Sequence, residues 1–258
     1  MTIRGVPAEK AIPYHPQFGE YAEPHIPNYL TVDGAKGETQ DINDYSFPKN
    51  QMVPFSDTDW WSELDRTAPI QNHQLTLSGG NSKGKYLMGL NYFDQQGTVV
   101  YSYFKRYQTR LNTSFDIRPW FRVGENLQYT WTKDVGLHTS FTESSPYSWT
   151  YRASPWVPVK DTFDNWAGSK INGTGNFINV IAQEYRNKDN YWSNSRIFGN
   201  IWGEIDLLKE LTYRTNFGMD YTNRYYYRMS KKNLEFSESP GTNNLEEGAA
   251  FKIGRAHV

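Results

Sequence analysis

The side chains best suited to chemistry gather in one short stretch. Asp57, Asp59, Glu63 and Asp65 flank Trp60 and Trp61. A glycosidase needs an acid and a base across a sugar bond, and carboxylates beside aromatic rings could supply them. The same residues also describe the start of a solvated helix, where acidic groups are favoured by the dipole, and this is the preferred reading. Gly79-Gly80-Asn81-Ser82-Lys83-Gly84-Lys85 nearly spells a phosphate-binding loop. Tyr86 stands where the Mg²⁺-binding hydroxyl belongs and no helix pattern follows, so a strand-to-strand turn is expected. The histidines, at 15, 25, 73, 138 and 257, are too scattered for metal-ligand spacing. The chain has no cysteine and no Gly-x-Ser-x-Gly elbow, which removes thiol nucleophiles, disulfides and the hydrolase serine. Neither catalysis nor a cofactor is expected. Trp149, Tyr151, Trp156 and Trp166 lie in a long stretch without periodicity. Such rings could stack on sugars or line a peptide site, and they serve equally well to hold a loop together.

The elements that would position these groups are strands. In residues 107–132 one alternate set reads Tyr107, Thr109, Leu111, Thr113, Phe115, Ile117, then Phe121, Val123, Glu125, Leu127, Tyr129, Trp131. The other set, Gln108 to Arg118 and Arg122 to Thr132, holds no apolar side chain. Period-two alternation of this kind predicts two strands with one apolar and one polar face. Arg118-Pro119-Trp120 is the expected turn. If Ile117 faces Phe121, then Phe115 meets Val123, Leu111 meets Leu127 and Tyr107 meets Trp131, apolar against apolar throughout. Glu125 is the exception, an acid within the apolar set. The plan recurs where Ile197 to Leu207 mirrors Leu211 to Tyr221 across Leu208-Lys209-Glu210. Leu75 and Leu77 lead up to Gly79-Gly80, and residues 85–94 form the return arm.

Residues 1–69 are proline-rich and irregular, with one short helix expected near Asp59 to Leu64. Residues 134–190 form a second long loop. Short connections at one end of the strands, long ones at the other and aromatics near the strand ends are what outer-membrane barrels show. Arms of about eleven residues also suit tilted membrane strands of about 9–11 residues. A soluble sandwich with the same face as its core is the alternative. With 258 residues and a net charge of -1, the chain carries no general attraction to nucleic acid. Mean hydropathy is -0.77, and no apolar run reaches the length of a membrane-spanning helix.

Asp57-Thr58-Asp59-Trp60-Trp61, Arg66 to His73, Leu75-Thr76-Leu77-Ser78-Gly79-Gly80, Tyr92 to Gly97, Phe104 to Tyr107, Arg110-Leu111-Asn112 and Val123 to Leu127 form an ordered set. Over residues 57–133 this set resembles the SusC/RagA family of TonB-linked outer-membrane transporters. The resemblance implies an all-β fold. It would be an antiparallel transmembrane β-barrel segment, about six strands of a roughly 22-stranded barrel in the lipid bilayer of the cell outer membrane. It implies import of a bulky nutrient, a glycan or peptide, with a SusD-like surface lipoprotein as partner and energy from TonB through an N-terminal region absent here. In that frame residues 1–69 are an external loop region and residues 70–252 a partial barrel. Trp149, Tyr151, Trp156 and Trp166 face substrate, and Arg110, Arg122, Asn126 and Arg214 face the lumen. Residues 253–258 are expected to be a non-native tail, because IGRAHV back-translates into a common sequencing adapter. The runner-up function is a soluble, secreted glycan-binding module or glycosidase domain, and a third is a diffusion porin.

Overall fold

The structure is a computed structural model that describes residues 2–3, 6–7, 14–136, 145–238 and 243–253. Most of the expected tail lies outside the described residues. The chain divides into two compact units. One comprises residues 67–136, 187–229 and 245–258, and the other residues 1–66, 137–186 and 230–244.

The first unit is built on one seven-stranded antiparallel sheet. Its strands are β1 (Ile70–Asn81), β2 (Gly84–Gln96), β3 (Tyr103–Arg118), β4 (Phe121–Val135), β5 (Tyr191–Leu208), β6 (Leu211–Ser230) and β7 (Asn244–Ile253), each paired with its neighbours in sequence. Two-residue turns at 82–83, 119–120 and 209–210 alternate with longer connections. At the first turn the Asn81 side chain accepts from the Lys83 and Gly84 N–H groups (2.8 and 3.1 Å), so the loop that resembled a phosphate cradle is a hairpin.

The register follows the alternation. Phe115 lies opposite Val123, Leu111 opposite Leu127 and Tyr107 opposite Trp131. Ile117 does not face Phe121. Phe121 pairs with Arg118 and Arg122 with Asp116, which leaves Ile117 as the extra residue of a bulge. Leu207 is passed over in the same way in the β5–β6 hairpin, between Asp206 and Leu208. Both turns are therefore one residue tighter than the sequence indicated. Across four strands of the apolar face, His73, Tyr92, Tyr107 and Trp131 form a row with successive ring centroids 6.2, 5.0 and 5.5 Å apart. Glu125 keeps its place in the apolar set and accepts a hydrogen bond from the Thr113 hydroxyl on the opposite strand.

One expectation is overturned. The transmembrane β-barrel segment of about six strands is instead an open seven-stranded sheet, with β1 and β7 at opposite edges and no closing pair among the described residues. Alternation specifies strands, faces and register, but closure requires the first strand to pair with the last, and no property of a single strand encodes that. Among the described residues no helix is long and apolar enough to cross a membrane. The sheet's apolar face is uncovered: Leu75, Leu77, Leu111, Phe115, Ile201, Tyr213 and Phe217 all remain exposed.

The second unit has its own core of Leu30, Met52, Val53, Trp60, Leu64, Val157, Ile171, Phe177 and Val180, all buried. A short ribbon pairs Tyr29–Thr31 with Met52–Pro54. Helix α1 (Trp60–Leu64) starts where Asp59 accepts from the Trp61 and Ser62 N–H groups, as the acidic cluster and the expected helix near it required. Helix α2 (Pro146–Arg152) has Ser145 as its cap and Pro146 in its first turn. Helix α3 (Val180–Asn187) follows Asn179, whose Oδ1 accepts from the Ala182 N–H (3.0 Å). These helices are too short to display a repeat of 3.6 residues in the sequence.

Buried polar groups knit the irregular segments together. The Gln17 side chain donates to the Thr31 and Asn172 carbonyls (2.8 Å each) and accepts from the Thr31 and Ala35 N–H groups (3.0 and 3.2 Å). Each lone pair and proton of that amide is thereby used, which is the condition for burying it without loss. Arg186 clamps Glu235 with two parallel hydrogen bonds of 2.7 and 2.8 Å, and the Glu235 side chain is only 1% exposed.

Candidate functional site

The candidate loop aromatics do not converge on one spot. Tyr151, on α2, is 81% exposed and its ring lies 6.0 Å from that of Trp61 on α1. Tyr147 completes this patch, 5.0 Å from Trp61. Trp149, on the same helix, packs its edge against Phe236 at 6.5 Å and carries the Arg152 guanidinium over its face at 4.8 Å. Trp156 belongs to a second group with His15, Phe18 and Phe55, its centroid 5.1 Å from Phe18. Within that group the His15 ring accepts from the Gln17 N–H at Nδ1 (3.2 Å) and lies 3.3 Å from the Gly173 carbonyl at Nε2.

Trp166 is held by Tyr185 at 5.5 Å and by the Lys160 ammonium, 3.6 Å above its ring. Its carbonyl accepts from Gln51, which also donates to Asp161 (2.8 Å each). Asp161 in turn takes the Tyr45 hydroxyl at 2.6 Å. Burial, and then that carboxylate, push the Tyr45 phenol up to about 12. Trp166 is thus a member of a packed network, whereas Tyr151 and Trp61 present free ring surface. The acidic cluster is structural at Asp59, whose carboxyl is held low chiefly by the Ser62 hydroxyl. Among the described residues no His, Asp and Glu group together as a metal site.

On the sheet, the four polar-face candidates share one surface across β3 to β6. Arg122 makes two hydrogen bonds to Asp206 (2.7 and 2.8 Å) and one to Glu204 (3.1 Å). Arg214 reaches the other oxygen of Glu204 at 2.9 Å and lies 4.9 Å from the Trp202 ring. Glu204 therefore joins two of the candidates. Asn126 donates to Asn200 (3.2 Å), which donates to Asn216 (2.6 Å). Arg110 stands opposite Gln128 in the register. The ionic pattern is one of alternating charges across strands, so the positive side chains mostly neutralise acids of the same face.

Sequence reasoning missed the partners Glu204, Asp206, Asn200, Asn216 and Trp202. Asn216 lies on the polar side of the second arm of the second hairpin, opposite Trp202 in the β5–β6 register. The other four lie on the mixed arm of that hairpin, and the signal that would have found these four is the pairing of β4 with β5. That pairing places Arg122 opposite Glu204, Gly124 opposite Trp202 and Asn126 opposite Asn200 across a connection of more than fifty residues.

No family model matches this sequence. The chain is 26% identical over 214 residues to TonB-dependent receptor P3 of Formosa agariphila, covering 79% of this chain and 20% of that receptor. Receptor P26 of the same organism is 24% identical over 207 residues, with 80% and 20% covered. Receptor P39 is 29% identical over 151 residues, with 58% and 14% covered. The chain thus spans about a fifth of the length of the first two relatives. Among solved structures, the RagAB peptide importer in its closed-closed state superposes with a TM-score of 0.61 at 22% identity, over 82% of this chain and 24% of that one. Its open-open state gives the same TM-score. Over most of its length this chain is homologous to a portion of the TonB-dependent receptors, and it has the fold that the matching part of the RagAB importer adopts.

Proposed function

We propose that this chain is part of an outer-membrane, TonB-dependent importer that takes up a bulky nutrient, a glycan or a peptide, by transport rather than catalysis. The observation that carries this reading is the homology to three TonB-dependent receptors, two of them matched over about four fifths of the chain. In this reading a SusD-like surface lipoprotein is the partner that delivers the nutrient, and TonB supplies energy through a region outside this chain. The polar face bearing Arg110, Arg122, Asn126 and Arg214 lies along the solute's path, and its hydrogen-bonding groups give selectivity. The exposed rings of the second unit, Tyr151 and Trp156 first and Trp149 and Trp166 at its packed parts, meet the nutrient from outside.

A soluble glycan-binding module is disfavoured by the uncovered apolar face, since soluble monomers rarely expose a continuous patch of that extent. The test is genetic. Deleting the gene should abolish growth of the host on one class of oligosaccharide or oligopeptide, and inactivating TonB should abolish it equally. Unchanged growth of the deletion strain on every such nutrient would sink the proposal.

A further inference from the structure

Asn112, Asn126 and Asn200 stand opposite one another on β3, β4 and β5, so three amides form a single row across the strands. With Asn216 they line a depression of about 550 Å³ on the polar face, together with Arg110, Gln128, Phe198 and Asp220. Room for a ligand comes in part from an absent side chain. Gly218, in the lining, is opposite Asn200, and a Cβ there would meet nothing closer than 3.8 Å.

The charges of this trough are unbalanced. Arg122, Arg196 and Arg214 each hold a carboxylate at 2.7–3.1 Å. Arg110 has no carboxylate within 4.0 Å among the described residues, and it is exposed. Asp220, the acid lining the trough, is already gripped by Arg196 through two hydrogen bonds of 2.8 and 2.7 Å. The Arg110 Nε–H is placed to donate to the Asn112 side-chain oxygen (3.3 Å), and the two terminal nitrogens of its planar guanidinium remain to match a carboxylate in charge and geometry. The hydrogen bonds from Asn126 to Asn200 to Asn216 run in one direction, which leaves amide groups at both ends of the chain for a polar ligand backbone.

We propose that this trough is a subsite for a carboxylate-bearing ligand, with Arg110 taking the carboxylate and the asparagine row taking the ligand's hydroxyl or amide groups. The inference rests on the import reading above and adds to it an acidic character of the solute.

Binding to the complete receptor, purified in detergent, would be measured by calorimetry with two matched pairs of probes. One pair is trigalacturonate and its fully methyl-esterified, neutral form. The other is the doubly blocked peptide N-acetyl-Ala-Glu-Ala-amide and its carboxylate-free counterpart N-acetyl-Ala-Gln-Ala-amide. For at least one pair the acidic probe should bind about tenfold more tightly than its neutral twin, the size expected of one charged hydrogen-bonded contact. Whichever pair shows the preference identifies the carboxylate's source as sugar or peptide.

Arg110→Gln should reduce that ratio to about twofold or less, while Lys209→Gln, in the β5–β6 turn, should leave it unchanged. Arg110→Lys keeps the charge without the fork and should give an intermediate ratio. No acid preference in either pair, as when another part of the receptor already fills Arg110 with a carboxylate, overturns the proposal. So does a preference that survives Arg110→Gln. Failure of the import reading would appear separately, as unchanged growth of the deletion strain.

Discussion

Glu184 lies on α3 among Val180, Ile181 and Ala182 and is 4% exposed. Burial alone pushes its carboxyl up to about 7, from 4.5. Because the folded-state value is the higher one, the stability it contributes is complete below pH 4.5. That contribution is lost as pH rises through about 7. The full excursion corresponds to roughly 3 kcal/mol. Glu184→Gln keeps the size and the neutral hydrogen-bonding capacity and removes the titration. The variant should therefore match the parent near pH 4 and exceed it by about 3 kcal/mol near pH 8. Urea denaturation followed at both pH values checks this, and equal midpoints at pH 8 would contradict it. Arg122 and Asp206 differ in kind, because they pair part-exposed on the polar face, where salt and water still screen the attraction and limit the stability that depends on it.

At the scale of elements, the hairpins were legible because their alternation is almost free of exceptions. Leu111 opposite Leu127 and Ile201 opposite Phe217 follow from the alternation alone. The bulges at Ile117 and Leu207 were not legible, since both residues continue the apolar set and only backbone geometry reveals the slip. The helices α2 and α3 were hidden because each offers only about two turns, and α3 mixes buried Glu184 into its apolar side. The polar partners of Arg122 were hidden by sequence distance, as β5 begins more than fifty residues after β4 ends.

Gly124 illustrates what such long-range pairing imposes. It is buried on the polar face beneath Trp202, and a Cβ there would come within 2.5 Å of both the Trp202 ring and the Thr113 carbonyl. Gly124→Val suits strand propensity yet should destabilise the sheet by about 1–3 kcal/mol through overpacking. Combining it with Trp202→Ala should recover only part of this loss, because the Thr113 backbone cannot move aside as a side chain can. Thermal denaturation of the two variants measures the difference, and full recovery in the double variant would mean that the ring is the sole obstacle.

For the molecule as a whole, the open sheet and its uncovered face decide behaviour in solution. The apolar set that fixed the register is the same set that remains exposed, from Leu75 on β1 to Phe217 on β6. The sheet also ends in two edges whose backbone groups have no further strand to pair with among the described residues. Each feature alone favours association, the face through burial of apolar area and the edges as templates for added strands. The net charge of -1 offers almost no repulsion to oppose it. The chain produced by itself should therefore self-associate in water and become dispersed when a mild detergent covers the apolar face. Light scattering coupled to size exclusion, with and without detergent, distinguishes the outcomes. A monomer of 30.0 kDa in plain buffer would mean that this face is covered in solution. Replacing Leu111, Ile201 and Phe217 together by Asn supplies the complementary measurement. These residues point out of an uncovered face and touch no buried core, so the triple variant should fold and lose most of its association through the face. Association that persists in the variant would then be assigned to the strand edges.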